Sequence, residues 1–553
     1  MKNVENIKKY LLLFLGGALY ALGFPHSTLP SLFFLPIIGL TILFYNLDLD
    51  ELRSKNNIKK IIISLLIYNL GYVLIGYYWI PYTLKEFGNI YLPFNYILGS
   101  LFALIINPQI YFFIAFKWAW NKYIRKNDID FNIPQVAFIN AFIMVLLDNF
   151  IPQQFPAHPG HAFLQLAPHL GLAPYLGSLV YSLVAYYICF AIINFKNKKY
   201  IDAYAISFTV IVLILSFTVK LPYLKHSKVD QTLKIRMVQG NIGNFIKILS
   251  EKGDANALRN VYKNFLDLSL KDGKENIDLM IWPETAYPEL LKSELMEKSS
   301  YYVPQVFKDV ILNSNADFLV GGYDKTLSTG DVNFMNEYNT SFFFKKEVTK
   351  LGTGVKLFDK YHKMKLIPFG EGLPFGPLNK PLSKILTNVS FFAQGSLYPL
   401  FKTKKDISFF TPICYEILFY DFIRKYNNEV LKEYGEKPDV MINLTNDSWY
   451  GMTSEPYQHL FLSKWRALEF QIPIARMTNT GISSVIYPDG SESKRTKLFE
   501  AETLDHEVKI KRTAVTLFQE FGFGSIFLIF LIYISIISIM SIIYRPPKVD
   551  LHE

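Results

Sequence analysis

Three short stretches of the chain carry side chains that could do acyl chemistry: Glu284 in "IWPETAYP", Lys363 in "YHKMKLIPFGE" and Cys414 in "TPICYEI". Each lies at the end of an apolar run that reads as a strand, or in the loop beside one. A carboxylate, an ammonium and a thiol supply a base, an electrophilic stabiliser and a nucleophile, which are the parts needed to move an acyl group through a thioester. Taken singly they are ordinary: a strand-end carboxylate in water, a solvated loop lysine and a small buried hydrophobe. They are too far apart in the chain for a local motif, so the fold must bring them together.

The elements that would position them divide into two kinds. Of 553 residues, 51% are hydrophobic, 16% aromatic and only 19% charged, which is more apolar than a soluble domain carries. The apolar residues are unevenly spread, which predicts a membrane part and a soluble part. Runs long enough to cross a bilayer, about 20 residues each, fall near residues 10–25, 28–46, 58–81, 91–118, 134–151, 168–195 and 201–221, with an eighth at Ser525–Tyr544. Basic residues mark one side of this set. Lys2, Lys8 and Lys9 precede the first run, Arg53, Lys55, Lys59 and Lys60 separate the second and third, and Lys117, Lys122, Arg125 and Lys126 the fourth and fifth. Lys196, Lys198 and Lys199 then separate the sixth and seventh, and Arg545 and Lys548 follow the eighth. The alternate loops carry Lys85 alone between the third and fourth runs and no Lys or Arg from Pro152 to His169.

By the positive-inside rule both termini are cytoplasmic, so the segment between the seventh and eighth runs is extracytoplasmic. The expected organisation is a membrane domain with seven spans over 1–221, a catalytic domain over 222–515, and an eighth span with a short cytoplasmic tail over 516–553. The first run has the basic start of a signal peptide but reads as a retained span, because six more follow it. The net charge of +10 is accounted for by this placement and points to a membrane, not to nucleic acid. Two cysteines, Cys189 and Cys414, cannot build a disulfide framework.

Within the soluble part, "TLKIRMVQGN", "IDLMIWPE", "ADFLVGGYD", "NTSFFFKK", "DISFFTPIC", "DVMINLTND" and "ISSVIYPDG" read as strands. They alternate with helical stretches at 255–270 and Pro456–Phe470, the pattern of a layered α/β or α+β domain. A turn is expected after Cys414, then a helix over Ile417–Tyr426 whose N-terminal end would favour a thiolate.

"IWPETAYP", "KYHKMKLIPFGEGLPFG", "PICYEILF" and "NLTNDSWYG", in that order, resemble the Glu, Lys and Cys blocks of the nitrilase (carbon-nitrogen hydrolase) superfamily. Set between seven spans and a final one, they make nearly the whole chain similar to the bacterial apolipoprotein N-acyltransferase family. The resemblance implies an extracytoplasmic, nitrilase-like αββα sandwich joined to an α-helical membrane bundle, in a bacterial inner membrane. It implies transfer of an acyl chain from a phospholipid to the free α-amine of a lipoprotein's lipidated N-terminal cysteine. In that reading Cys414 is the nucleophile, Glu284 the proton acceptor and Lys363 the oxyanion stabiliser, and the two half-reactions are ping-pong. Glu371 would fix the lysine, Glu416 would hold the active-site loop and Tyr415 would be the aromatic after the nucleophile. Asn446 and Trp449 would line the site. The acceptors are diacylglyceryl-modified apolipoproteins, no cofactor or metal is implied, and the chain is taken as a monomer. One departure from the family stands at Ile248, where a tryptophan is usual about nine residues past the glutamine of "VQGN".

Other readings compete. A membrane-anchored amidase would use the same residues with water as second substrate, but a hydrolase of soluble amides has no need for seven spans. A transporter would show paired intramembrane charges, which the runs lack. Arg466 and Glu469 read as a helix-surface ion pair. Asp148 sits near the outer end of the fifth run, a flag for function unless the span simply ends there. His158, His161 and His169 lack acidic neighbours at ligand spacing and read as polar groups at a lipid-entry mouth. Tyr77, Tyr78 and Trp79 fit an interfacial aromatic belt.

Overall fold

The structure, a computed structural model, describes residues 2–47, 55–86, 88–120, 133–198, 202–326, 337–349, 352–368, 370–373, 376–383 and 391–543. Of the basic residues that mark one side of the expected spans, Arg53, Lys122, Arg125, Lys126, Lys199, Arg545 and Lys548 lie outside the described residues, as do Ile201 and Tyr544 at the ends of two apolar runs. The chain forms two compact units: Met1–Tyr78 with Tyr96–Lys220 and Phe521–Glu553, and Trp79–Asn95 with Leu221–Glu520.

The first unit is helical, and each apolar run of the sequence carries helix. The segments Ile58–Gly76, Phe94–Ala119, Ala203–Lys225 and Phe523–Met540 are long and apolar enough to cross a membrane. Leu35–Asn46, Gln135–Phe150 and Leu179–Phe195 are apolar but shorter. Prolines explain two departures from continuous spans. The run at 28–46 becomes helical only at Leu35, with Pro36 in its first turn, and the run at 91–118 breaks after Phe102–Leu104 and restarts at Pro108. Proline lacks an N–H and fits only where a helix begins. Helices Lys2–Ala21 and Lys55–Gly76 cross at backbone contact: a Cβ on Gly17 would lie 1.8 Å from the Tyr68 carbonyl oxygen, and one on Gly71 2.1 Å from that of Phe14. Small residues allow this approach where apolar helices gain little from burial alone.

Asp148 is not simply a span end. It is buried, accepts a hydrogen bond from the Tyr186 hydroxyl at 2.8 Å, and lies 3.4 Å from His158 Nδ1. His158 and His161 are likewise buried, and His161 is held by the His158 amide and Ser178. These two histidines are internal partners and not groups lining a mouth, because the fold brings together polar residues that the sequence keeps apart. His169 is exposed and stacks on Phe217.

The second unit contains strands β1 (Gln231–Gln239), β2 (Leu279–Ile281), β3 (Leu290–Leu291), β4 (Asp317–Lys325), β5 (Glu337–Thr349), β6 (Gly352–His362), β7 (Phe401–Lys402), β8 (Ser408–Phe410), β9 (Val440–Thr445), β10 (Ile474–Thr478), β11 (Ser484–Ile486) and β12 (Glu502–Ile510). One sheet runs β12-β1-β2-β4-β5-β6, with β3 against β4, and the other β11-β10-β9-β8-β7. Every residue of β9 and β10 is buried, as expected of central parallel strands covered on both faces. Helices Ala255–Ser269 and Gln305–Ser314 cover the first sheet over an aromatic core of Phe265, Trp282, Phe307, Phe318 and Phe344. Phe343 of β5 meets Phe401 and Phe409 of the second sheet edge-on. Helix Tyr420–Tyr434 packs on that sheet through Tyr426 and Phe410, with Glu455–Phe470 beside it. The layers are thus helix, sheet, sheet, helix.

Candidate active site

Glu284 lies three residues past β2, in a turn where Thr285 has φ +48°. The turn presses on β4 at Gly321, where a Cβ would sit 2.4 Å from the Pro283 oxygen and 2.7 Å from Glu284 Cα. Only glycine lets the carboxylate-bearing turn come so close to its neighbouring strand. Lys363 follows β6, its amide bonded to the Asn339 carbonyl of β5 at 2.8 Å. Its Nζ is fully buried and lies 3.1 Å from Glu284 Oε1 and 2.8 Å from each oxygen of Glu371. Asn339 completes the cluster by donating to Glu284 and Glu371, each at 2.8 Å. Its role was not legible in the sequence, because an asparagine within a strand carries no signal of its own.

Cys414 follows β8 with φ +50°, a left-handed conformation that side-chain-bearing residues seldom adopt and that accompanies functional turns. Ile413 forms a bridge to Leu444 of β9. The thiol is buried and lies within the field of Glu284, Lys363, Asp447 and Glu371. Burial and then Glu284 push its pKa well up, while Lys363 pulls it down. Burial also works against the Lys363 ammonium, but Glu284, Glu371 and the Cys414 thiol together outweigh it, so the lysine pKa is raised and its charge held.

The helix expected over Ile417–Tyr426 begins later. A 3-10 turn covers Cys414–Leu418 and the α-helix runs Tyr420–Tyr434. The cause is Glu416, which is fully buried and not a surface carboxylate. It accepts the Ile413, Met364 and Lys365 amides at 2.7, 2.7 and 2.9 Å and the Tyr361 hydroxyl at 2.8 Å. It thereby ties the thiol turn to the lysine loop and tightens the chain there. The turn after Cys414 is thus not the N-terminal end of an α-helix, and burial and Glu284 work against the thiolate that such an end would favour. Burial raises the Glu416 pKa to about 7 against those amide hydrogen bonds. Glu416→Gln would turn an amide NH2 toward these donors. We expect a loss of about 1–3 kcal/mol of stability, the cost of a buried donor left without an acceptor, read as a lower denaturation midpoint. An unchanged midpoint would contradict the tie.

Tyr415 is buried edge-on against Phe419, 4.7 Å between ring centres. Asn446 accepts from the Ser448 amide and from Asn479, so its side chain is engaged in turn structure. Trp449 is half-buried in the turn Ser448–Tyr450. Its neighbour Tyr450, which sequence reasoning passed over, is the residue whose hydroxyl feels Glu455, Cys414, Asp447 and Glu284. Arg466 and Glu469 are not on a helix surface: they form a buried pair at 2.8 Å, because nearly all of Glu455–Phe470 is enclosed. Ile248 is partly exposed on helix Asn244–Glu251, which turns Phe245 outward and buries Lys247 against the Thr285 hydroxyl.

The family description carbon-nitrogen hydrolase matches residues 234–516, and that of the apolipoprotein N-acyltransferase N-terminal domain matches residues 16–191. An apolipoprotein N-acyltransferase of Bdellovibrio bacteriovorus is 30% identical over 465 residues, covering 81% of this chain and 80% of that protein. One from Rickettsia bellii is 29% identical over 475 residues, 84% of this chain and 86% of that protein. Among solved structures, an amidase from Nesterenkonia sp. aligns with TM-score 0.31 and 14% identity over 50% of this chain and 90% of its own.

Proposed function

This chain belongs to the apolipoprotein N-acyltransferase family, and from that premise we propose how its residues carry out the reaction. It is an acyltransferase of lipoprotein maturation in a bacterial membrane, with a phospholipid as acyl donor and a lipoprotein as acceptor. The observation that carries the mechanism is the buried contact of Lys363 with Glu284 and Glu371 beside the Cys414 turn.

Cys414 attacks the phospholipid ester carbonyl as Glu284 takes the thiol proton. A neutral, buried thiol is a weak nucleophile without such a base. Lys363, kept charged by its two carboxylates, faces the oxyanion that develops on the carbonyl. Collapse breaks the ester C–O bond, the proton on Glu284 passes to the departing lysophospholipid oxygen, and the chain remains as a thioester. In the second half the lipoprotein α-amine attacks the thioester and Glu284 accepts its proton; collapse breaks the C–S bond to leave an amide, and Glu284 returns that proton to the Cys414 sulfur. Glu371 and Asn339 hold Lys363 and Glu284 in register throughout. Donor and acceptor use one site in succession, so the kinetics are ping-pong.

We place the sandwich on the periplasmic face, between the seventh and eighth of eight spans, with both termini cytoplasmic. The one-sided distribution of Lys and Arg supports this. Protein supplied with a phospholipid labelled in its acyl chain and a diacylglyceryl-cysteine peptide should place the label on the peptide amine. Free fatty acid as the only product would instead support an amidase-like hydrolase.

A further inference from the structure

Beneath Cys414 lies a set of buried polar residues that the mechanism above does not use. Arg476 of β10 is completely buried, and its guanidinium divides between two arms. Nη1 donates to Asn443 Oδ1 of β9 at 2.9 Å, and the Asn443 amide donates in turn to the main-chain oxygens of Pro412 at 2.9 Å and Cys414 at 3.4 Å. Nη2 donates to Asp447 Oδ2 at 2.6 Å, and the other Asp447 oxygen lies 3.2 Å from His459 Nδ1. The His459 ring borders the Cys414 main chain. Glu455 lies 3.7 Å from the same His459 nitrogen. Asp447, Glu455 and His459 come close enough to hold a cation, but the guanidinium already compensates Asp447. Burial and the Asp447 charge raise the Glu455 pKa, which favours its neutral form.

The Asn443 arm is hydrogen-bonded to the segment whose left-handed backbone carries the thiol, and the His459 arm ends beside it. A residue at φ +50° persists only where its surroundings over-determine it, and the Asn443 hydrogen bonds to the Pro412 and Cys414 carbonyls supply part of that constraint. We propose that Arg476, through Asn443 on one side and Asp447 with His459 on the other, is a positioning residue that clamps the Pro412–Cys414 main chain and so points the sulfur at Glu284 and Lys363. This rests on Cys414 being the nucleophile, and its test separates the two claims.

Asn443→Asp is nearly isosteric and keeps an acceptor for Arg476, but it cannot donate to the Pro412 and Cys414 carbonyls. In the full-length protein, kcat for acyl-enzyme formation from labelled phospholipid should fall at least tenfold, with KM changed less than twofold. Iodoacetamide alkylation of Cys414, followed by peptide mass, should slow in parallel. His459→Asn keeps a donor toward Asp447 and loses the ring edge beside Cys414, and its kcat should fall severalfold with KM unchanged. A folded Asn443→Asp protein with the parent kcat and alkylation rate overturns the clamp. If Asn443→Asp does not fold, the decision passes to His459→Asn, where the parent kcat overturns it. If the parent protein transfers acyl chains while Cys414 resists iodoacetamide under all conditions, the nucleophile assignment fails and the clamp with it. Alkylation in the parent with unchanged rates in both variants removes the clamp alone.

Discussion

Cys414→Ala is expected to lower acyl transfer to a lipoprotein peptide by a factor on the order of 10⁴ or more, as loss of a nucleophile does where several groups act as a unit. Cys414→Ser should be similarly inactive. A serine hydroxyl is much harder to ionise than a thiol, and a carboxylate such as Glu284 is a weak base for it. Neither variant should alter the fold, since the turn at Cys414 is held by Glu416 and Asn443 through main-chain hydrogen bonds and not by the sulfur. Activity and thermal denaturation measured on the same preparations check both halves. Residual transfer within tenfold of the parent would remove Cys414 from the chemistry.

Lys363→Met should have the second largest effect, and on two quantities at once. Its ammonium is the buried counter-charge of Glu284 and Glu371. Removing it leaves two carboxylates facing each other out of water, with an expected loss of about 3–5 kcal/mol of stability. Acylation should slow by about 10²–10³, the usual cost of a lost oxyanion contact. Lys363→Arg should recover little, because a planar fork does not replace a compact ammonium between two carboxylates. The informative variant is Lys363→Met combined with Glu371→Gln. Neutralising one stranded carboxylate should restore part of the lost stability without restoring the rate. Denaturation midpoints and single-turnover acylation read the two effects separately, and a double variant less stable than Lys363→Met would contradict this account of the cluster.

Glu284 and Cys414 were legible in the sequence because each follows a short apolar strand, where a polar side chain stands out, and Lys363 through its block "YHKMKLIPFGE". Strands such as β4 and β9 were plain as continuous buried runs. β6 was not: "GTGVKLFDKYH" is rich in glycine and charge and becomes a strand only by pairing with β5. β10 was hidden by Arg476, a charge that no periodicity rule places in a central strand. The same blindness covers Asn339, Asn443 and the buried Arg466–Glu469 pair, whose burial depends on partners distant in the chain. The turn expected after Cys414 is there, but the helix expected from Ile417 begins only at Tyr420, because the amides that Glu416 gathers come from Met364 and Lys365, about fifty residues upstream.

The central claim is that the acyl chain rests on sulfur between donor and acceptor. Protein incubated with a phospholipid of defined chain length, freed of unbound lipid and digested, should yield a peptide carrying Cys414 heavier by that acyl group. Adding a diacylglyceryl-cysteine peptide to the undigested adduct should return Cys414 to its free mass and place the same chain on the peptide amine. A Cys414 peptide of unmodified mass while transfer proceeds, or an adduct that the amine acceptor cannot discharge, would contradict the mechanism.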